Sequence, residues 1–177
     1  MNVIRILRHR VYRWEGSAEP ARGQQASIVV PITNENVHRV LEFREPRHLA
    51  VFEGYLREGR FGVFAIRNGR VLGHAWVSRP HERMQTLNRY FRLRPGDTLI
   101  HYCNVDPSVR GHGLYGAMLR ELAGQLSADK MVKRILIDTE RSNTSSMRGI
   151  EKEQFIFVSS TWYLLVGKLL VLRVQKF

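Results

Sequence analysis

The chain has 177 residues, 44% of them hydrophobic, which suits one packed domain and excludes general disorder. Its 28 Lys and Arg against 16 Asp and Glu leave a net charge of +12, a field that draws polyanions such as nucleic acid, an anionic membrane or an anionic cofactor. A single cysteine, Cys103, excludes an intrachain disulfide and a cysteine-based metal site.

Met1 to Trp14 scatters Arg5, Arg8, Arg10 and Arg13 among apolar residues and so lacks the apolar core of a signal peptide. Residues 1–26 therefore read as a basic arm or an extra strand, ahead of one domain over 27–177, and the cytoplasm is the expected compartment. Ser27 to Thr33 is β-branched and reads as a strand. Asn34 is placed to cap a helix carrying Val37, Val40 and Leu41, and Pro46 ends it before a second helix with Leu49, Phe52 and Leu56 on one face. Strands over 61–67 and 70–78 are joined by Asn68-Gly69, a pair that tolerates the positive φ angles of a two-residue hairpin turn.

Residues 79–96 form a long connection with Arg79, Arg83, Arg89, Arg92 and Arg94 against a lone Glu82, and Tyr90 and Phe91 add little aromatic surface for stacking on bases. Thr98 to Val105 is a strand and 134–139 another. Between them a helix carries Leu114, Met118, Leu122 and Leu126 at four-residue spacing. A short helix over 143–153 and two strands over 155–177 complete the pattern. The apolar run at the end, Trp162 to Leu172, is broken by Gly167 and Lys168 and is too short to span a bilayer. The fold class expected is α/β (α+β): a mixed, mostly antiparallel sheet flanked by about four helices.

The informative segment is Val105-Asp106-Pro107-Ser108-Val109-Arg110-Gly111-His112-Gly113-Leu114-Tyr115-Gly116, where a strand turns into an amphipathic helix. Glycines 111 and 113 let the backbone coil so that its N–H groups converge. At a helix N-terminus such amides and the helix dipole both favour phosphate. The loop lacks the Gly-Lys-Ser/Thr ending of a Walker loop. Gly111, Gly113 and Gly116, with Asp138 downstream, fit a dinucleotide fingerprint in spacing, but three strands precede the loop where that fingerprint would open its fold.

Val-x-Pro-x-x-Arg-Gly-x-Gly ahead of a helix resembles the pyrophosphate-binding signature of the GNAT superfamily of acyl-CoA N-acyltransferases. Asn143-x-x-Ser146 and Glu151-Lys152-x-x-Phe155 resemble that family's second element. The resemblance spans about 27–177. It implies that acetyl-CoA is the co-substrate. Backbone around Cys103, Asn104 and Val105 would hold the acyl and pantetheine groups. Amides of Arg110, Gly111, His112, Gly113, Leu114 and Tyr115 would hold the pyrophosphate, with Asn143 on the pantetheine arm and Lys152 near the cofactor end. The sequence departs from the family where Ile150 stands in place of an acid tyrosine and Gln154 in place of a glycine.

The proton chemistry is read from the residues. An amine of pKa about 10.4 is neutral in roughly one molecule in a few thousand at neutral pH, so a base is useful. His101 is the catalytic candidate, since it lies four residues before Val105, where some family members carry a catalytic histidine, and an imidazole titrates at about 6.5. Strict strand alternation puts His101 and Cys103 on one face and Tyr102 and Asn104 on the other. Structural alternatives stand beside each: His101 as a buried strand residue, Cys103 as a small core side chain, Tyr102 and Tyr115 as core aromatics, His112 as solvated, His74 and Trp76 as packing. Seven scattered histidines show no pair at metal-ligand spacing, so no metal is expected. The reading is acetyl transfer to a primary amine. The alternative is a module with the same fold that binds acyl-CoA or nucleic acid without turnover. An anionic acceptor, nucleic-acid contact and a homodimer stay open.

Overall fold

The computed structural model describes residues 4–16, 28–80, 82, 93–167 and 169–176. Arg83, Arg89 and Arg92, read as part of a long arginine-rich connection, lie outside the described residues. The chain divides into two compact units, one of residues 17–135 and one of residues 1–16 with 136–177. Among the described residues no helix is long and apolar enough to cross a membrane.

The first unit is built on four antiparallel strands in the order β2 (Ile28–Pro31), β3 (Phe61–Arg67), β4 (Arg70–Ser78), β5 (Asp97–Val105). The β3–β4 turn has Asn68 at φ 51° and Gly69 at φ 74°, the two positive angles anticipated for this dipeptide. One sheet face carries Phe64 and Trp76. Against it pack a 3-10 helix (Val37–Glu42) and α1 (Arg47–Arg57), which bury Val37, Val40, Phe52 and Tyr55. The 3-10 helix starts from Asn36, not Asn34. Asn36 Oδ1 accepts from the Thr33 N–H and its Nδ2 donates to Pro31 O, so the turn is closed one residue before the helical pattern begins. Leu41, taken as a core position, is exposed, because the 3-10 repeat of three residues carries it off the face shared by Val37 and Val40.

The opposite face receives α2 (Leu114–Ser127), whose buried Leu114, Met118, Leu119, Leu122, Ala123 and Leu126 form the stripe read from the spacing. Gly73 of β4 lies under it, where an added Cβ would stand 3.2 Å from Met118 Cε. The start of β5 is pinned where Arg134 donates twice to Asp97, at 2.7 Å each; Asp97 also accepts from the Arg94 N–H.

The second unit has the order β6 (Arg134–Glu140, of which 136–140 lie in this unit), β1 (Ile4–Trp14), β7 (Phe155–Val166), β8 (Leu169–Lys176), again antiparallel between neighbours. The basic N-terminal segment is therefore a strand between β6 and β7, with Tyr12 fully buried. α3 (Thr144–Lys152) opens at Asn143, whose Oδ1 accepts from the Ser146 N–H at 3.1 Å, and Tyr12 Oη donates to Glu151 of this helix. A mostly antiparallel sheet architecture with flanking helices, the class expected from the sequence, is what the structure shows. The strand at 4–14 is absent from the predicted element order.

Gly62 packs directly against Trp76: an added Cβ would lie 2.6 Å from Trp76 Cδ2. Trp76 is fully buried between Phe52 and Tyr55 and has nowhere to move. Gly62→Ala is expected to destabilise the chain by about 1–3 kcal/mol, the usual cost of overpacking. Urea denaturation with an unchanged slope and a lowered midpoint would register it.

Candidate active site

The loop from Val105 to Leu114 forms for local reasons. Asp106 bonds its N–H to Leu72 O and accepts from the Ser108 N–H and hydroxyl at 2.9 and 2.6 Å. These bonds from Ser108 hold its carboxyl below the usual aspartate range. They start a short 3-10 turn over Pro107–Val109, after which the backbone passes through left-handed conformations at Gly111 (φ 83°) and Gly113 (φ 80°). Residues with a side chain avoid that region, so glycine is required at both points.

Gly113 is then the N-cap of α2, and among the described residues no side chain caps the helix. A helix start of this kind presents first-turn N–H groups that lie outside the helix's own ladder, with the positive end of the dipole behind them. Gly111, His112 and Gly113 are exposed, and a Cβ at Gly111 would meet nothing within 4 Å. The surface is open, polar and positive, and Arg110 lies beside it with its Nε donating to Val105 O. His112 turns its Nδ1 to the carbonyls of Val109 and Arg110. Tyr115 is half-buried on the first turn of α2. These features suit a phosphate ester.

The strand leading into the loop differs from its expected alternation. His74 pairs with Asn104 and Trp76 with His101, so Tyr102 and Cys103 together face the single residue Ala75. This is a β-bulge, and Tyr102 takes φ 50° to form it. The expected split, with His101 and Cys103 on one face and Tyr102 and Asn104 on the other, is therefore wrong. His101 and Tyr102 both turn toward α1, with ring centroids 6.0 and 6.2 Å from Tyr55. The extra residue cancels one step of the twofold alternation.

His101 is 4% exposed. Its Nε2 lies 2.7 Å from Ser78 Oγ, which also accepts from Arg60 at 3.2 Å. Cys103 is half-buried, with Sγ 3.6 Å from His101 O. Thus His101 and residues 103–115 lie on one continuous strand, loop and helix of the first unit. Asn143 and Lys152 belong to the second unit, Asn143 as the cap of α3 and Lys152 exposed in its last turn. Ile150 of the same helix is fully buried and offers no proton.

The bulge also gathers a group of residues that no motif announced. His48 Nδ1 lies 2.6 Å from Tyr102 Oη, and Arg44 donates to His48 Nε2 at 2.9 Å. His74 is fully buried among Phe52, Phe43 and Tyr102, with ring centroids 4.7, 5.7 and 5.2 Å away. Burial first, then the charges of Arg44 and Arg47, lower the His48 pKa. Burial, then Arg44 and His48, hold His74 well below the usual histidine range. Burial raises the Tyr102 phenol against the opposing charge of Arg44. Both nitrogens of His74 and Nε of Arg44 are buried without a hydrogen-bond partner. Each such atom costs about 1–3 kcal/mol. Arg44 lies in the loop before Pro46 and His48 in the first turn of α1, so their meeting had no periodic signature.

Residues 24–154 match the acetyltransferase (GNAT) family model, and the chain belongs to that family. No curated protein matches the sequence. Among solved structures, a putative GNAT-family acetyltransferase from Novosphingobium aromaticivorans aligns with 89% of this chain and 63% of its own, at 15% identity and TM-score 0.61. A GNAT-family acetyltransferase from Colwellia psychrerythraea aligns over 92% of this chain and 55% of its own, at 13% identity and TM-score 0.63. AAC(6')-Iy, solved in complex with the bisubstrate analog CoA-S-monomethyl-acetylneamine, aligns over 75% of this chain and 92% of its own, at 17% identity and TM-score 0.56. The first two likenesses leave more than a third of the neighbour's own length unmatched. All three support the fold.

Proposed function

We propose that the chain is an acetyl-CoA-dependent N-acetyltransferase acting on a primary amine by direct attack in a ternary complex. The observation that carries this reading is the uncapped N-terminus of α2 behind two left-handed glycines, a cradle of amides suited to the pyrophosphate of coenzyme A. The amides from Arg110 to Tyr115 would hold the pyrophosphate, and the backbone of Cys103 to Val105 would bond the pantetheine arm as a strand does. Asn143 and Lys152 would add contacts to the arm and the cofactor end. The complex of AAC(6')-Iy with a CoA-containing bisubstrate analog supports a CoA ligand for this fold.

In the proposed reaction the amine nitrogen attacks the thioester carbonyl, and a backbone N–H polarises the oxygen as charge builds there. The C–S bond then breaks and its electron pair leaves with sulfur. A thiol titrating at about 8.5 yields a tolerable leaving anion, which makes the apolar Ile150 acceptable where a proton donor would otherwise stand. Most of the rate comes from holding the two reactants in line. His101 takes the amine proton through an intervening water, since its ring is buried behind Ser78 and cannot touch the acceptor directly.

Two measurements test this. Gly113→Asp puts a carboxylate where amides would meet phosphate, so acetyl-CoA affinity measured by calorimetry should fall by roughly tenfold or more, about 1.4 kcal/mol. Unchanged affinity in a folded variant would remove the cofactor reading. His101→Ala should lower turnover at neutral pH and move the pH–rate profile to higher pH, while acetyl-CoA affinity stays near that of the parent. An unmoved profile would leave His101 a packing residue.

A further inference from the structure

We propose that Arg44, His48, His74 and Tyr102 form an oxyanion-binding site, and that it receives a carboxylate or phosphate group carried by the acceptor amine. The identity of the ligand as an acceptor rests on the acyl-transfer reading; the binding site does not.

Three observations lead here. The first is the set of orphaned donors. Arg44 Nε and both nitrogens of the fully buried His74 make no hydrogen bond of good geometry, the Tyr102 backbone offering His74 only a loose contact, although a neutral imidazole always carries one N–H. Buried polar atoms are nearly always bonded, and several orphans clustered in one place mark a position for another molecule's atoms.

The second is the direction of the hydrogen-bond chain. A guanidinium can only donate, so His48 Nε2 accepts from Arg44 and the imidazole proton is assigned to Nδ1. That proton goes to Tyr102 Oη, 2.6 Å away. The phenol oxygen is thus an acceptor inside the cluster, and its own proton has no acceptor there. Donors aligned in series strengthen one another, so the chain ends in a polarised O–H pointing out of the network.

The third is charge. Arg44 makes no ion pair with a carboxylate among the described residues. The neighbouring Glu45 is paired with Arg47 at the surface. A guanidinium, two imidazoles and a phenol therefore converge with Glu45, itself paired with Arg47, as the nearby carboxylate among the described residues. A carboxylate or phosphate oxygen has the lone pairs to accept from the Arg44 guanidinium, the His74 N–H and the Tyr102 hydroxyl, and the charge to neutralise Arg44. An acceptor without an oxyanion would leave these donors unanswered.

The position is fixed by the fold. Tyr102 reaches the cluster because of the bulge that also sets His101 and Cys103, so the site adjoins the strand where the acyl group would be held. Phe43 and Phe52 wall it on the α1 side, and exclusion of water by such rings strengthens the charged contacts.

The test compares three primary amines at saturating acetyl-CoA: 4-aminobutanoate, O-phosphoethanolamine and n-butylamine, which carries no acidic group. The parent should prefer one of the two amines that bear an oxyanion, and which one is preferred tells carboxylate from phosphate. Arg44→Gln and Tyr102→Phe should each cut the ratio of kcat/KM for that amine over n-butylamine by roughly tenfold. An unchanged ratio in both variants would overturn the proposal. A second measurement works even if no amine is acetylated. Imidazole nitrogen NMR signals of His48 and His74, assigned with His48→Gln, are followed as acetate or inorganic phosphate is added. A saturable shift that Arg44→Gln abolishes supports the site, whereas the absence of any saturable shift means that the orphaned nitrogens hold only water and overturns it.

Discussion

One departure from regular strand geometry organises the candidate site. Tyr102 sits at φ 50°, a conformation that costs a side-chain-bearing residue about 1–2 kcal/mol. It persists because the Tyr102 ring is held by Phe52, Tyr55 and His74, each with a centroid within 6.2 Å, and because its hydroxyl is bonded to His48. The extra residue that this conformation inserts resets the alternation of β5. His101 and Tyr102 turn to the same side, and the backbone from Cys103 onward is re-aimed toward the glycine loop. Without the bulge, Tyr102 would point toward α2, and the cationic cluster would not exist in its present form.

A second constraint acts at the other end of the same segment. Asp106 and Ser108 wind the chain into a short turn, and two glycines carry it through left-handed angles into α2. The helix that follows is anchored by a continuous apolar stripe on β3, β4 and β5. The uncapped amides are therefore mounted on a rigid element, as a charged ligand requires. In the first unit, packing and function meet along one strand: Trp76 and Phe52 hold the sheet, and the bulge beside them spaces the chemistry.

Much of this was legible in the residues. The turn at Asn68-Gly69, the stripe of α2, the short helix over 143–153 and the glycine loop all depend on local sequence, where spacing translates directly into geometry. Three things were not. Residues 1–26 read equally as a basic arm or an extra strand, and the place of the strand over 4–14 between β6 and β7 depends on partners far along the chain. The bulge adds one residue without a glycine or proline to mark it, and a two-residue period cannot reveal its own interruption. The Arg44–His48–Tyr102 contact joins residues from a loop, a helix and a strand, and only tertiary packing brings them together.

Transfer of an acetyl group from coenzyme A to an amine nitrogen, as proposed for this site, is tested most directly by release of free coenzyme A thiol when the chain is mixed with acetyl-CoA and a panel of primary amines of differing charge. Thiol release should depend on at least one amine, with an acetylated product formed in equal amount. Tight binding of acetyl-CoA with no amine-dependent release across the panel would contradict it, and would make the chain a binding module that has kept the acetyltransferase fold without its chemistry.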